Sequence, residues 1–241
     1  MTSMEWLTAE IIVLVGSVLQ GAVGFGLGLL GAPLLVLLDP ALVPGPLLAA
    51  ALFLTVLMCF REHETIDFRG VGWALAGRVP GTIIGATVLA LVPRQEISLL
   101  VGAMVLLAVA MFASGADISR TPHSLFGAGT LSGFMATTAS IGGPALAILY
   151  QDSRGDRVRG TLAGFFLAGL VLSLSALAVV GRFGPLELRA SILLLPAVLL
   201  GFLLSRRIAR SLDRGHTRAA ILVSSAVAGL VVIAEALVSY L

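Results

Sequence analysis

Charge is absent from this chain over lengths that match a lipid bilayer. Apolar segments at about 6–38, 46–60, 71–92, 97–114, 124–150, 160–180, 188–205 and 219–241 are separated by short polar breaks. Roughly 20 such residues form a helix that crosses a hydrocarbon core of about 30 Å. Only 12% of the 241 residues are charged and 58% are hydrophobic, with a mean hydropathy of +1.07, whereas a soluble domain carries about 25% charged residues. A membrane β-barrel would alternate apolar and polar positions in short strands, and these segments do not alternate. The sequence therefore predicts an all-α integral membrane protein. The start, MTSMEWLTAE, has no basic n-region, so no cleaved signal peptide is expected. The lone Cys59 leaves no partner for an intramolecular disulfide or a cysteine metal cluster, and the expectation for it is packing in an apolar run.

The first segment is too long for one simple crossing. As a straight helix its 33 residues would extend about 50 Å. Arginine placement bears on what it does, because all fifteen basic residues are arginine. If every segment crosses once, the arginines divide five against nine between the two faces. If 6–38 and 124–150 each go in and come back, one face collects Arg61, Arg69, Arg120, Arg154, Arg157, Arg159, Arg206, Arg207, Arg210, Arg214 and Arg218. The other face keeps Arg94, Arg182 and Arg189. The positive-inside rule prefers the second arrangement and places both termini outside. It does not separate re-entrant hairpins from pairs of full spans.

Internal similarity agrees with that division. Gly31-Ala32-Pro33 followed by LLVLL resembles Gly142-Gly143-Pro144 followed by ALAIL; LQG at 19–21 resembles LSG at 131–133; VPGTIIG at 79–85 matches LPAVLLG at 195–201. Each half then reads as a hairpin followed by three transmembrane helices: residues 1–116 with hairpin 6–38, and residues 117–241 with hairpin 124–150. An odd number of crossings per half makes these inverted-topology repeats, a build common among secondary transporters.

Glycine and proline disfavour a helix interior by about 1 and 3 kcal/mol relative to alanine, yet QGAVGFGLGLLGAP at 20–33 concentrates them inside an apolar run. Unpaired backbone groups are costly in lipid, so a broken helix must be covered by protein or line an aqueous cavity. Half-helix N-termini offer N–H groups to an anion. The first break, which holds Phe25 and Gly26, offers the amide of Gln20, and the second offers the hydroxyls of Thr137, Thr138 and Ser140, as candidate substrate-binding positions. Phe25 reads equally as a gate and as a core aromatic. The spacing Gly77, Gly81, Gly85 is expected to serve close helix packing. Arg78 is a candidate too: it lies about 12 Å into its segment, and an intramembrane charge points to function. The competing reading is snorkelling toward the headgroups beside Trp73. Glu235, near the C-terminal end, is read as interfacial rather than as a proton relay.

His63, His123 and His216 are scattered over loops and imply no metal site; no cofactor is expected. HExxH, GxSxG and GxxxxGK[ST] are absent from the sequence, so neither an enzyme nor an ATP-driven pump is indicated. No nucleic-acid partner is implied.

QGAVGFGLGLLGAPLLVLL and LSGFMATTASIGGPALAILY, with VPGTIIGATV between them, resemble the TauE/SafE family of sulfite-exporter-like permeases. The resemblance covers nearly the whole chain. It implies a multi-pass transporter of the bacterial inner membrane for small anions such as sulfite or an organosulfonate, and it carries a substrate-binding role onto Gln20, Gly21, Gly24, Phe25, Gly31 and Pro33 in the first half and Ser132, Gly133, Gly142, Gly143 and Pro144 in the second. A carboxylate is a further candidate substrate, and without a nucleotide-binding motif a proton or another ion is the expected coupled species. Two other classes stay open on the sequence: an ion or small-solute channel, and a non-transporting component of a larger membrane assembly.

Overall fold

A computed structural model describes residues 2–93, 96–211 and 214–238, with the side chains of 209–220 outside that description. Arg94, Arg210, Arg214, Arg218 and His216 therefore lie outside the described residues or side chains. The described chain is helical: α1 Ser3–Val23, α2 Leu27–Leu38, α3 Gly45–Glu62, α4 Phe68–Leu91, α5 Ile97–Ala113, α6 Pro122–Ala139, α7 Pro144–Leu149, α8 Gly155–Val179, α9 Pro185–Ser211 and α10 Arg214–Val238. Among the described residues six helical stretches are long and apolar enough to cross a membrane, so this is an all-α membrane protein.

Residues 6–38 form two helices. α1 starts with a capping box, in which Thr2 Oγ1 accepts the Glu5 N–H and Glu5 accepts the Thr2 N–H. It ends at Gly24, whose φ of 104° is left-handed, and Gly26 follows at 139°. These are angles that side-chain-bearing residues avoid. The chain then doubles back, so that the Leu27 backbone lies against Gly16. α2 has 12 residues, about 18 Å by helical rise, and is too short to cross on its own. The second long segment repeats the manoeuvre. α6 ends at Ser140, left-handed at φ 63°, and the six-residue α7 returns beside it, with Gly142 against Ala136. Eight of the 12 residues of α2 and all six of α7 are buried, as an apolar half-helix with open ends requires in lipid.

Side-chain bonds join the loops at each end. At one end Thr65 Oγ1 donates to the Asp156 carbonyl, the Asp67 N–H to Thr161 Oγ1, Arg120 Nη1 to Ser153 Oγ and Arg61 Nη1 to Ser205 Oγ. The loops at 61–70, 115–123 and 151–159 and the end of α9 therefore share one face, and it is the arginine-rich one. At the opposite end Arg182 Nη2 donates to the Val92 carbonyl at 2.6 Å. α1 and α9 run parallel, with Ser17 against Gly201 and Gly21 against Ser205, so the N-terminal end of α1 belongs to the arginine-poor face. Glu235 borders a cavity with Pro40 and Ser98 at that face too.

α4 packs along α6, and α1 along α9; α3 lies between α8 and α9, α4 also meets α8, and α5 meets α10. The glycine stripe of α4 seats on α6, Gly77 on the Phe126 backbone, Gly81 on Thr130 and Gly85 on Phe134. That is packing without intervening side chains.

Candidate functional site

The two breaks meet inside the bundle. Gly28, in the first turn of α2, is so close to the Ser140 carbonyl that a Cβ there would overlap it, and Gly143 lies against the Phe25 side chain. Around this junction is a small cavity of about 30 Å³ lined by Gln20, Phe25, Gly26, Arg78, Ser140 and Gly142, among others. It has room for about two waters. Gly143 and Pro144 complete the wall on the α7 side.

Each break is fastened by the polar residue seven or ten positions from it. Gln20 Oε1 accepts the Leu27 N–H at 3.3 Å, the first orphan donor of α2. Ser132 Oγ donates to the Gly142 carbonyl. Phe25 stacks on Phe112 of α5, centroids 5.1 Å apart, while keeping an edge on the cavity.

Arg78 does not snorkel. It is 0% exposed, held inside the bundle by two neighbouring helices, α6 and α8. Nη1 donates to Ser132 Oγ at 3.1 Å, Nη2 reaches Ser173 Oγ at 3.5 Å, and the guanidinium lies 4.8 Å from the centroid of the Phe165 ring. Nε has no partner among the described residues. Gly169 of α8 makes the space: a Cβ there would overlap the guanidinium. Among the described residues no carboxylate lines the cavity, and the partners of the cation are neutral hydroxyls and a ring face. Moving an unpaired charge out of water costs several kcal/mol even after relaxation, and a cost of that size is retained where the charge is used.

Of the positions named from the sequence, Gln20, Phe25, Gly26, Arg78, Ser140, Gly142, Gly143 and Pro144 line this cavity. The others surround it without lining it. Gly21 packs on Ser205, Gly24 on Leu162 and Arg159, Gly31 near Leu47, and Gly133 on the α4 backbone at Arg78 and Thr82. Pro33 is buried within α2. Ser132 holds Arg78, and Thr137 shares a 2.9 Å bond with Ser173. The hydroxyl of Thr138 donates to the Phe134 carbonyl of its own helix at 2.8 Å, and Ser140 Oγ donates to the Pro44 carbonyl at 3.0 Å; these two donors are spent on the scaffold. The sequence reading predicted α8 but named no site residue on it: Phe165, Phe166, Gly169, Leu170 and Ser173 form the far wall and the guanidinium seat. The legible signal was Gly169 followed four residues later by Ser173 in an apolar helix.

Under the first break, Arg61 and Arg159 both bond Glu62 Oε1, at 3.1 and 2.9 Å, and Arg61 Nη2 also donates to the Gly21 carbonyl. This cluster ties the tip of the first hairpin to α3, α8 and α9 on the arginine-rich side. Among the described residues no group of three His, Cys, Asp or Glu is placed to hold a metal.

A family model described as Sulfite exporter TauE/SafE matches residues 9–232. No curated protein and no solved structure matches the chain.

Proposed function

The chain belongs to the sulfite exporter TauE/SafE family of membrane transporters, and from that premise we propose that it carries a small anion, sulfite or an organosulfonate, through the cavity where the two breaks meet. The observation that carries this reading is Arg78: a fully buried guanidinium beside both breaks, with hydroxyl partners and an unsatisfied Nε–H. An oxyanion would supply the missing acceptors and the missing charge. Hydrogen bonds from a guanidinium are strong and shaped for planar or forked oxyanions.

The reading includes inverted repeats, residues 1–116 and 117–241. In its support, exchanging α1 with α6, α3 with α8 and α4 with α9 turns the α1–α9 contact into α6–α4, and α3–α9 into α8–α4. Both long helices end in a left-handed residue, Gly24 and Ser140. With the arginine-rich face cytoplasmic, both termini lie outside a bacterial inner membrane. One half rocks against the other so that the cavity opens to each face in turn. A proton or ion gradient drives the cycle.

The test is purified protein in liposomes. Sulfite or a sulfonate such as sulfoacetate is expected to raise the melting temperature of the protein, as any ligand of the folded state does, and to show saturable uptake with counterflow. Flux that neither saturates nor shows counterflow would identify a channel. No binding and no flux of sulfite, sulfonates or carboxylates by this chain alone would overturn the anion-carrier reading.

A further inference from the structure

Outside the central cavity, the arginine-rich face carries a second concavity of about 450 Å³, bounded by the starts of α4, α6 and α8 and by Tyr150. Three guanidiniums reach it from separate places: Arg69 on α4, Arg120 ahead of α6 and Arg157 on α8. Its one carboxylate, Asp67, is already engaged. It accepts the Gly70 N–H at 3.1 Å and the Tyr150 hydroxyl at 2.9 Å, and lies 3.5 Å from Arg157. Arg120 stacks on the Tyr150 ring at 5.0 Å and donates to Ser153 Oγ, a neutral partner. Arg69 makes no hydrogen bond or ion pair with another described residue. The rim therefore holds two more positive charges than its acid offsets, in a concavity large enough for a polar headgroup.

This concavity runs on into lipid-facing surface. Trp73, one turn beyond Arg69 on the same side of α4, lines it and is 45% exposed. Farther along, α4 exposes Val79, Ile83 and Ile84. A free oxyanion would gain nothing from that apolar continuation, whereas an amphiphile buries its chains on it. The geometry points to a binding site for an anionic phospholipid, with its phosphate between Arg69 and Arg120, its glycerol at Trp73 and its acyl chains along α4. Aromatic residues at the interface and basic residues beneath it are the groups that hold such lipids.

The chain has two tryptophans, so Trp6→Phe leaves Trp73 as a single reporter. In that background, brominated phosphatidylglycerol should quench Trp73 with a preference over brominated phosphatidylcholine of about fivefold for each arginine that contributes. Arg69→Gln should remove about half of that preference on a logarithmic scale, and Arg69→Gln with Arg120→Gln should remove all of it. Since Arg69 has no hydrogen bond or ion pair to lose among the described residues, the single variant keeps the test valid if the double variant melts early. Equal quenching by the two lipids, or a preference that survives both substitutions, overturns the site. If inorganic phosphate abolishes the preference and chloride at equal ionic strength does not, the site is one for free oxyanions and the lipid assignment fails.

Discussion

Arg78 Nη1 donates to Ser132 Oγ at 3.1 Å, and the Ser132 hydroxyl in turn donates to the carbonyl of Gly142. A buried cation on α4 is thereby wired through one hydroxyl to the backbone of the second break. The charge and the break form one unit. On the function proposed above, an anion taken up by Arg78 would act on the break through this hydroxyl.

Arg78→Met should separate function from stability. A buried charge without a counter-charge is destabilising, and apolar replacements of buried ionic groups are often neutral or stabilising by about 1–4 kcal/mol. The ligand-free variant is expected to melt at or above the wild-type temperature while losing the sulfite-induced shift and all transport. Arg78→Lys should recover little, because an ammonium cannot span Ser132 and Ser173 together. Melting curves with and without sulfite check both statements. A variant that keeps the ligand shift would remove Arg78 from the site.

Gly28→Leu should damage both folding and transport. Its Cβ would overlap the Ser140 carbonyl, and main chain cannot swing aside as a side-chain tip can. Overpacking of this kind costs about 1–3 kcal/mol, and here it would also prise the two breaks apart. Gly127→Ala on α6 meets nothing within 4 Å and is the matched control. It should leave transport unchanged and melt no earlier than wild type, since alanine is the better helix former. Melting temperature and initial uptake rate on the same preparations decide it.

How much of this was legible in the sequence depends on which interaction fixed each part. The helices and the two breaks could be read directly, because lipid forbids unpaired backbone and leaves helix length and Gly/Pro placement as the main variables. The common face of the 61–70, 115–123 and 151–159 loops was readable from arginine alone. The surroundings of Arg78 were not. Counting residues along α4 puts it well inside the helix, but that does not say whether a long side chain runs up to the headgroups or across to a neighbouring helix. Gly169 and Ser173, some ninety residues away, settle that question. In the same way ATTAS reads as a row of free hydroxyls, whereas Thr138 turns to its own helix and Ser140 to Pro44, because serine and threonine compete for nearby carbonyls.

Thr137 and Ser173, 2.9 Å apart, are expected to be coupled. Ser173 also receives Arg78 Nη2 at 3.5 Å, so Ser173→Ala strands a buried hydroxyl and weakens the guanidinium seat together. Each unsatisfied buried group costs about 1–3 kcal/mol. Thr137→Val and Ser173→Ala should each lower stability, and the double variant should lose less than the sum, with a coupling energy of about 1 kcal/mol. Denaturation of all four proteins in one detergent measures it, and strict additivity would mean the bond contributes nothing.

Asp67 makes stability depend on pH at the arginine-rich face. Burial by itself would raise its carboxyl pKa, but the Gly70 N–H, the Tyr150 hydroxyl and the Arg157 guanidinium outweigh burial and hold it below the ordinary carboxylate value. A carboxyl whose pKa is depressed in the fold contributes stability above its unfolded value, near 3.9. That contribution is lost as pH falls through the lower folded value. Wild type should therefore melt above Asp67→Asn at neutral pH by a constant margin, and the margin should shrink only below about pH 4. Tyr150→Phe should narrow it from the other side, since one of the bonds to the carboxylate is gone and the Asp67 pKa moves back toward its ordinary value. A margin that changes between pH 5 and 8 would mean that another group carries the dependence.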